Sequence, residues 1–402
     1  MALRAGGLPA PVAPLPPAVS DAARLAARAV DVVPPGGLEE KLRLGRPLRV
    51  KLGVDPTAPD IHLGHAVVLG KLREFQDAGH LAVLVIGDWT ARVGDPSGRT
   101  STRPMLSAGE IEGNAASYRD QAFRILDPER TEIRANGEWF STMGLEAVFR
   151  LAGSATVNQL LRRNDFAERM ARDRPVSVLE LLYPLMQAYD SVELRADVEL
   201  GGTDQLFNLM LAREIQSAYG QPPQVAMTMP ILPGLDGVRK MSKSLANHIG
   251  VADAPEEQFG RTMSIPDGAL AEWYRLLAPG APPPAGAPAE DKRRLGRLIA
   301  ERFGGEGAGR AAEEHFDRVV RDRGAPYEMP TVAIAPGTVH MPALLADHLG
   351  AASRGEARRL IAGGGVSLDG ERMDDLDVPA ERLHDRVIRV GKRRFARLRV
   401  ED

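Results

Sequence analysis

The chain has 402 residues, 44% of them hydrophobic and 26% charged, as expected of a globular protein with two or three domains. It contains no cysteine, which excludes disulfide bonds, thiolate metal sites and a cysteine nucleophile. The formal net charge is −3, so any contact with nucleic acid has to come from a local basic patch.

Residues 1–34 are predicted to be a partly disordered leader. The first twenty residues contain five prolines and a single arginine. Prolines interrupt any apolar segment, so a secretory signal is not expected, and a single arginine indicates the alternative, an organellar transit peptide, only weakly. No apolar stretch approaches the length that crosses a bilayer. We therefore expect a cytoplasmic protein without membrane contact.

Residues 35–250 alternate apolar runs with helical periodicity. Strands are predicted at 47–53, 81–87, 196–202 and 225–229, and helices at 64–78, 107–126 and 203–219. The rhythm of strand, helix and strand predicts an α/β fold, a Rossmann-like doubly wound parallel sheet covered by helices. In such folds ligands bind beyond the carboxyl ends of the strands.

The strand pattern stops after residue 250. Helices are predicted over 255–278 and 289–322, separated by a spacer rich in Pro, Ala and Gly at 278–291. We therefore expect a helical domain at 251–330. Two short helical runs and a β-rich end at 331–402 predict a linker and a small α+β domain.

The first candidate site motif is VDPTAPDIHLGH at 54–65, directly after a predicted strand. His62 and His65 lie three residues apart at the start of a predicted helix and share one face. Gly64 lets a flat ligand lie against the backbone, and a helix N-terminus suits a phosphate. The pair alone fits a metal site or two structural histidines as well as it fits a phosphate site. A zinc site, however, needs further ligands, and no cysteine is present.

The second motif is Lys240-Met241-Ser242-Lys243-Ser244, after the last predicted strand of the α/β part. Only seven of the 51 basic residues are lysine, and two of them lie within four positions here. Two ammonium groups on a hydroxyl-rich loop suit a polyphosphate whose charge grows during a reaction. The alternative, a solvated basic loop, is disfavoured by that scarcity of lysine.

The third motif is ELLYPLMQAYD at 180–190. Tyr183, Gln187 and Asp190 fall at i, i+4 and i+7, on one face of a helix. The leucines around them indicate a mostly buried segment, where three polar groups need partners that a polar ligand can supply. The alternative is a polar stripe facing solvent. Two further polar segments follow predicted strands, GGTDQ at 201–205 and GDPSGR at 94–99.

Together these motifs resemble a known enzyme family. The histidine motif followed by the lysine loop resembles the signature pair of class I aminoacyl-tRNA synthetases. The third motif and the segments KLGVDPT and RADVELGGTDQ look like the tyrosyl-tRNA synthetase family, in its bacterial branch with lysine at position 51. The resemblance covers roughly 35–270 and the tail.

The resemblance implies a tyrosine–tRNA ligase. Such an enzyme activates L-tyrosine with ATP and Mg²⁺, releases pyrophosphate and transfers the tyrosyl group to the terminal ribose of tRNA(Tyr). No metal bound by the protein itself is expected. The family also implies a homodimer.

The same resemblance implies roles for individual residues. The catalytic residues would be His62, His65, Lys240 and Lys243. ATP would be held by Gly53, Asp55, Thr57, Gly64, Gly202, Asp204, Ser242 and Ser244. Tyrosine would be held by Lys51, Asp95, Tyr183, Gln187, Asp190 and Gln205. Asp190 would accept the phenolic hydrogen, and Lys51 either pairs with Asp190 and donates to the phenol oxygen or is a buried counter-ion.

The tail, LLADHLGAASRGEARRLIAGGGVSLDGERMDD at 344–375, looks like an S-four-type RNA-binding domain. Basic side chains on a short helix and near the C-terminus can contact phosphates although the molecule is acidic overall. The residues assigned to tRNA are Arg354, Arg358, Arg359, Lys392, Arg393 and Arg394. The alternative is a solvated basic face.

Three other functions remain as alternatives. A tryptophanyl-tRNA synthetase shares the fold and the lysine loop, but its amino-acid helix does not normally read Tyr-x-x-x-Gln-x-x-Asp. A non-translational nucleotidyltransferase needs neither the tail nor the helical domain. A non-catalytic RNA-binding paralogue is expected to have lost motif residues that this chain keeps.

Overall fold

The computed structural model describes residues 18–57, 59–96, 107–321, 329–391 and 394–401. The chain divides into two compact units. The first comprises the residues up to 253 together with 261–295, and the second comprises 254–260 together with 296–402.

The first unit is built on a sheet of six strands. They are β1 (Asp31–Val33), β2 (Arg49–Val54), β3 (Leu81–Ile86), β4 (Thr131–Ala135), β5 (Val198–Gly202) and β6 (Val225–Met229). The order is β1-β6-β5-β2-β3-β4, and all neighbours are parallel except β1, which is antiparallel to β6. Strands β3, β5 and β6 are buried along most of their length, as expected of parallel strands covered on both faces. The predicted α/β class with a parallel sheet is confirmed.

Helices connect these strands. They are α1 (Ala18–Ala26), α2 (Gly37–Leu42), α3 (Leu63–Asp77), α4 (Thr90–Val93), α5 (Ala108–Ala122), α6 (Gly137–Phe140), α7 (Leu145–Ala152), α8 (Val157–Leu160), α9 (Asn164–Ala171), α10 (Val178–Leu194) and α11 (Leu206–Ala218). Capping boxes define the starts of α5 and α10, where Ser107 and Ser177 each exchange hydrogen bonds with a glutamate three residues later. Helices α10 and α11 pack together through Leu185, Val192 and Ile215.

The strand order positions the candidate site. From β2 the chain moves through β3 to β4 on one side, whereas β5 and β6 lie on the other side. The order therefore reverses between β2 and β5, and ligands bind beyond the carboxyl ends of strands at such a switch point. The segments that follow β2, β3 and β5 carry Asp55, Asp95 and Asp204, respectively.

The leader is shorter than predicted, because α1 and β1 belong to the first compact unit. Leu25 of α1 is fully buried. The ammonium group of Lys71 on α3 donates to the carbonyl oxygens of Leu25, at 3.0 Å, and Ala27, at 2.8 Å. These elements are too short to give a clear periodicity, and their anchoring residues lie far away in sequence. Residues 1–17 lie outside the described part of the chain.

Other helix bounds also differ from the predictions. Helix α5 ends at Ala122 rather than near 126, where the N–H groups of Arg124 and Ile125 donate to carbonyl oxygens three residues back instead of four. The helix predicted over 255–278 is two helices, because Pro266 and Gly268 break the pattern between them. The helices after β6 are α12 (Pro255–Thr262), α13 (Leu270–Leu277), α14 (Pro288–Gly304) and α15 (Ala308–Phe316), with a π turn at Asp317–Arg321.

The end of the chain forms a small α+β structure with its own core. Its helices are α16 (Met341–His348) and α17 (Arg354–Ala362), and its strands are β7 (Thr331–Ile334), β8 (Thr338–His340), β9 (Val366–Leu368), β10 (Glu371–Arg372), β11 (Asp377–Pro379), β12 (Val387–Val390) and β13 (Arg394–Val400). One sheet has the order β10-β9-β12-β13-β7, and β8 pairs with β11. Leu345 of α16 and Ile361 of α17 are buried in one core with Ile388 of β12. Among the described residues, no helix combines the length and apolar character needed to cross a membrane.

Candidate active site

The two histidines of the first motif lie at the N-terminus of α3. Their rings stack with centroids 3.9 Å apart, and the His62 backbone N–H donates to Nδ1 of His65 at 3.3 Å. Burial lowers the pKa of His62 to about 2 and that of His65 to about 4. Both rings are therefore neutral at physiological pH and can offer hydrogen bonds, but no charge, to a ligand.

The histidine motif and the lysine loop lie close together. The Leu63 N–H donates to the Ile249 carbonyl oxygen at 2.9 Å. A Cβ added to Gly64 would lie 2.9 Å from the His62 ring and 3.6 Å, an ordinary contact distance, from Cβ of Met241, so glycine leaves room for the His62 ring beside the lysine loop. The ring of His248, which the motifs did not identify, lies 6.2 Å from that of His62.

Both lysines of the loop face carboxylates at the mouth of the site. The Lys240 ammonium nitrogen is 3.5 Å from Oδ2 of Asp204, and Lys243 forms an ion pair with Asp60. Both lysine side chains are about half exposed. Ion pairs with that much solvent contact are weak, so an incoming polyphosphate can take either ammonium group from its partner.

Asn247 organises the lysine loop, a role that no motif predicted. Its carbonyl Oδ1 accepts from the Ser242 N–H at 2.8 Å, and its Nδ2 donates to the Lys240 carbonyl oxygen at 3.2 Å and to Asp236 at 3.3 Å. The Ser242 and Ser244 hydroxyl oxygens are 2.9 Å apart. A buried amide thus fixes the backbone between the two lysines.

The residues assigned to ATP surround the ends of β2 and β5. A Cβ on Gly53 would meet no atom within 4 Å, so space is open above that strand end. Thr57 donates its backbone N–H to the carbonyl oxygen of Asp55 at 2.7 Å in a tight turn. A Cβ on Gly202 would lie 2.8 Å from Oδ1 of Asp204, so glycine is needed to bring this carboxylate close to the strand.

Helix α10 is continuous through Pro184 and carries the third motif. The Tyr183 hydroxyl donates to Oδ2 of Asp55 at 2.9 Å. Burial, followed by the negative charge of Asp55, raises the pKa of Tyr183 well above its usual value, so the phenol stays protonated. Asp55 also accepts from the Thr90 hydroxyl at 2.7 Å, which links the ends of β2 and β3 to α10.

Asp190 lies at the base of the site and is fully buried. Its Oδ1 accepts from Nε1 of Trp139 at 3.0 Å and its Oδ2 from Nδ2 of Asn136 at 3.4 Å. Burial raises the pKa of Asp190 to about 7, against the opposing effect of the nearby Lys51 ammonium, and the Glu199 carboxylate raises it further. The motifs did not reveal Trp139 and Asn136, because they lie about fifty residues earlier in the chain.

The remaining residues assigned to tyrosine are connected in a polar network. Nε2 of Gln205 donates to Oδ2 of Asp95 at 2.9 Å. Nδ2 of Asn208 donates to Oε1 of Gln205 at 3.0 Å and to Oε1 of Gln187 at 2.8 Å. Arg163 in turn donates to Oδ1 of Asn208 at 2.7 Å. The sequence pattern brought Asp95, Gln187 and Gln205 to one site, but it missed Asn208 and Arg163.

The expected pairing of Lys51 with Asp190 is wrong. The Lys51 ammonium nitrogen is 2.9 Å from Oε1 of Glu199, 2.8 Å from the Gln187 carbonyl oxygen and 2.8 Å from the Ser191 hydroxyl. An ammonium group has three hydrogens, and these three acceptors use all of them. Lys51 is therefore the buried counter-ion that was the alternative expectation, with no hydrogen left for a phenol oxygen.

An arginine-rich cleft of about 630 Å³ borders the site. Its lining includes Arg162, Arg163, Arg169, Arg172 and Arg174, together with Thr203 and Asp204 at the end of β5. The sequence motifs did not predict this cleft, since its arginines lie on the short helix α9 and in the segments before and after it.

The basic residues assigned to tRNA are only partly described. Arg354, Arg358 and Arg359 lie on α17 and are all exposed. Arg394 donates to the Leu349 carbonyl oxygen at 3.0 Å, so it also joins β13 to the end of α16. Lys392 and Arg393 lie outside the described residues. Within the described part of the chain, no group of three His, Asp or Glu side chains could hold a metal ion.

Family models match both parts of the chain. Residues 43–303 match the model of tRNA synthetases class I (W and Y), and residues 342–387 match the S4 domain. The solved structure of the tyrosyl-tRNA synthetase from Archaeoglobus fulgidus, in complex with L-tyrosine, aligns with a TM-score of 0.62 and 24% identity, over 74% of this chain and 100% of that one. This alignment supports the fold.

The family model covers synthetases for tryptophan (W) and for tyrosine (Y), and the curated relatives distinguish between these two substrates. The tyrosine–tRNA ligase of Thermotoga maritima is 49% identical over 92% of this chain and 94% of its own length. That of Moorella thermoacetica is 47% identical over 92% and 93%, respectively. The tryptophan alternative and the non-translational alternatives are therefore not supported. The chain belongs to the tyrosine–tRNA ligases, within the class I aminoacyl-tRNA synthetases.

Proposed function

We propose that His62, His65, Lys240 and Lys243 stabilise the transition state in which the tyrosine carboxylate attacks the α-phosphate of Mg-ATP. The neutral histidines donate hydrogen bonds to the phosphate oxygens. The two lysines neutralise the charge that grows on the leaving pyrophosphate. The observation that carries this proposal is the close approach of Gly64 to Met241, which joins the two motifs around one space.

In our proposal, the ribose and the phosphates of ATP lie on opposite sides of the space between the histidine motif and the lysine loop. Gly202 and Asp204 hold the ribose, while Gly53, Asp55, Thr57 and Gly64 line the path of the phosphates. Ser242 and Ser244 add hydroxyl donors from the lysine loop. Mg²⁺ enters with ATP as part of the substrate. The contact of Lys240 with Asp204 supports this arrangement, since it brings the loop to the ribose side.

In this proposal, the α-amino group of tyrosine lies near the segment that follows β3 and near the middle of α10. Tyr183, Gln187 and Asp95 receive the α-amino group, Gln205 lies near the carboxylate, and Asp190 accepts the phenolic hydrogen. An ammonium group has only donors, and these side chains supply acceptor oxygens. ATP–pyrophosphate exchange with each of the twenty amino acids tests the assignment, and stimulation by any residue other than tyrosine at comparable efficiency contradicts it.

The second reaction step transfers the tyrosyl group to tRNA, and we assign part of its binding to α17. We propose 331–402 as a linker and RNA-binding domain, and 251–330 as the domain on the anticodon side. Replacing the three α17 arginines by alanine is expected to weaken tRNA binding by about tenfold or more, because each phosphate contact contributes to affinity. Pyrophosphate exchange is expected to stay unchanged.

Arg73, a half-exposed residue on α3, provides a control for that triple variant. Its replacement by alanine removes one cation outside the proposed tRNA-binding parts of the chain, and tRNA charging is expected to remain normal. Measuring charging at two salt concentrations identifies the electrostatic part, since loss of phosphate contacts reduces the salt dependence. Normal charging by the triple variant would remove α17 from the tRNA site.

We also propose a homodimer, supported by an apolar surface on α7 and the start of α10. Leu145, Phe149 and Val178 are 67%, 65% and 76% exposed, respectively. Exposed apolar side chains concentrated in this way are typical of an interface. Introducing aspartate at Phe149 is expected to produce monomers in sedimentation experiments, whereas the same change at the exposed Val238 leaves the mass unchanged. An unaltered mass for the Phe149 variant contradicts this surface.

A further inference from the structure

Glu199 is a buried carboxylate that neither the motifs nor the mechanism uses. It lies on β5 directly opposite Lys51 on β2, in the parallel register of the two strands. Both side chains are 1% exposed. A buried charge is costly unless its hydrogen bonds are satisfied, so the partners of Glu199 indicate why it is held there.

Each carboxylate oxygen of Glu199 accepts two hydrogen bonds. Oε1 accepts from the Lys51 ammonium at 2.9 Å and from Nε2 of Gln187 at 3.3 Å. Oε2 accepts from the Ser191 hydroxyl at 3.0 Å and from Nε2 of Gln224. Two of these four donors, Gln187 and Ser191, belong to α10. Glu199 thus fixes the part of α10 that carries the amino-acid site.

The contact with Gln187 determines which way its amide faces. The two ends of a glutamine amide have the same shape, so the orientation depends on the neighbours. An ionised carboxylate only accepts hydrogen bonds, so it selects the NH₂ end of Gln187. The carbonyl Oε1 then points away from Glu199, where it accepts from Asn208 at 2.8 Å and keeps one lone pair for a further donor.

We infer that Glu199, with Lys51 as its counter-ion, is a positioning residue that presents Oε1 of Gln187 to the α-amino group of the amino acid. This inference rests on the proposed amino-acid site. A neutral amide at position 199 offers both a donor and an acceptor, so Gln187 loses its fixed orientation. Tyrosine and phenylalanine share the α-amino group, and both are affected equally.

The test compares Glu199→Gln with the charge-balanced double variant Lys51→Met/Glu199→Gln. Glu199→Gln is expected to raise the KM for tyrosine in pyrophosphate exchange by about tenfold, the value of one hydrogen bond to a charged ligand. We expect kcat and the preference for tyrosine over phenylalanine to change by less than about threefold. The single variant leaves Lys51 without its counter-ion and melts at a lower temperature.

The double variant separates positioning from stability. It removes both charges, so its melting temperature is expected to recover toward that of the parent protein while the KM for tyrosine stays raised. A KM that recovers with the melting temperature overturns the inference, because the pair would then act on stability alone. A KM unchanged in both variants, or a collapse of the tyrosine preference, overturns it as well.

Two further variants complete the design. Glu132→Gln removes a carboxylate on β4 that pairs with Arg49, which lies on β2 as Lys51 does. This variant is expected to leave the KM for tyrosine unchanged. Gln187→Ala tests the amino-acid site itself. If Gln187→Ala raises the KM and Glu199→Gln does not, only the inference fails. If Gln187→Ala has no effect, the proposed amino-acid site fails and the inference fails with it.

Discussion

Replacing Lys243 by alanine is expected to slow tyrosyl-adenylate formation by about 10²–10³-fold, the usual effect of removing one group that stabilises transition-state charge. The lysine loop faces the phosphates in the proposed mechanism, whereas tyrosine is bound from α10. The KM for tyrosine is therefore expected to stay within about threefold of its original value. Single-turnover formation of tyrosyl-adenylate, followed over a range of tyrosine concentrations, measures both quantities.

Arg239 is the matched control for Lys243, because it is a neighbouring cation that pairs with Asp236 at the base of the same loop. Its replacement by alanine is expected to leave adenylate formation within about threefold. Asp60→Asn removes the carboxylate that holds Lys243 in the structure without ligands, and it is expected to leave the rate undiminished. Equal losses in tyrosine binding and in rate for Lys243→Ala would contradict a role confined to the transition state.

Asp190→Ala is expected to abolish most of the discrimination between tyrosine and phenylalanine. Enzymes of this family favour tyrosine by about 10⁵ without editing, a known family value that we adopt as the reference. Such ratios arise because a site built for a hydroxyl leaves buried polar groups unsatisfied when the hydroxyl is missing. Without the carboxylate the ratio is expected to fall by at least about 10²-fold, as measured by kcat/KM in pyrophosphate exchange.

The pH dependence of tyrosine binding provides a second measurement on the same residue. Burial raises the pKa of Asp190 to about 7, and the ionised carboxylate accepts the phenolic hydrogen more strongly than the neutral acid does. Below that pKa, kcat/KM for tyrosine is expected to fall about tenfold per pH unit. His62 and His65 have pKa values of about 2 and about 4, so neither accounts for a change near pH 7. Asp190→Asn is expected to remove the pH dependence.

Asp197→Asn is the matched control for Asp190. Asp197 is also a buried carboxylate, but it precedes β5, at the opposite end of the strand from the site, and pairs with Arg46. Its loss is expected to reduce stability without changing the ratio of tyrosine to phenylalanine. An unchanged ratio in Asp190→Ala would remove Asp190 from the recognition of the phenol.

Local patterns predicted much of the fold because they are set by nearby residues. Strand β6 was predicted with its observed bounds, and the helix predicted over 107–126 begins at the capping box of Ser107 and Glu110. The short elements α1 and β1 were missed, since they depend on Lys71 and β6, far away in the sequence. The division of the helix predicted over 255–278, in contrast, follows from a local signal that the prediction passed over, because Pro266 and Gly268 interrupt that range.

The residues of the candidate site were also predicted where local patterns define them and missed where distant contacts do. Motifs brought together residues at strand ends and on one helix face, because topology alone makes such residues neighbours. They did not reveal Trp139, Asn208 or Glu199, whose roles depend on contacts between distant segments. Lys51 illustrates the limit: its position at the site was predicted, but its partner, Glu199, became evident only from the register of β2 and β5.

The backbone pairing between Leu63 and Ile249 has a consequence for the motion of the lysine loop. Because this hydrogen bond attaches the far end of the loop to the start of α3, only about half a dozen residues separate Lys243 from a fixed point. In the proposed mechanism, a short tether keeps the effective concentration of the Lys243 ammonium group high at the phosphates, and its ordering costs little chain entropy. We therefore expect Lys243 to reach bound ATP without the ordering of a long segment.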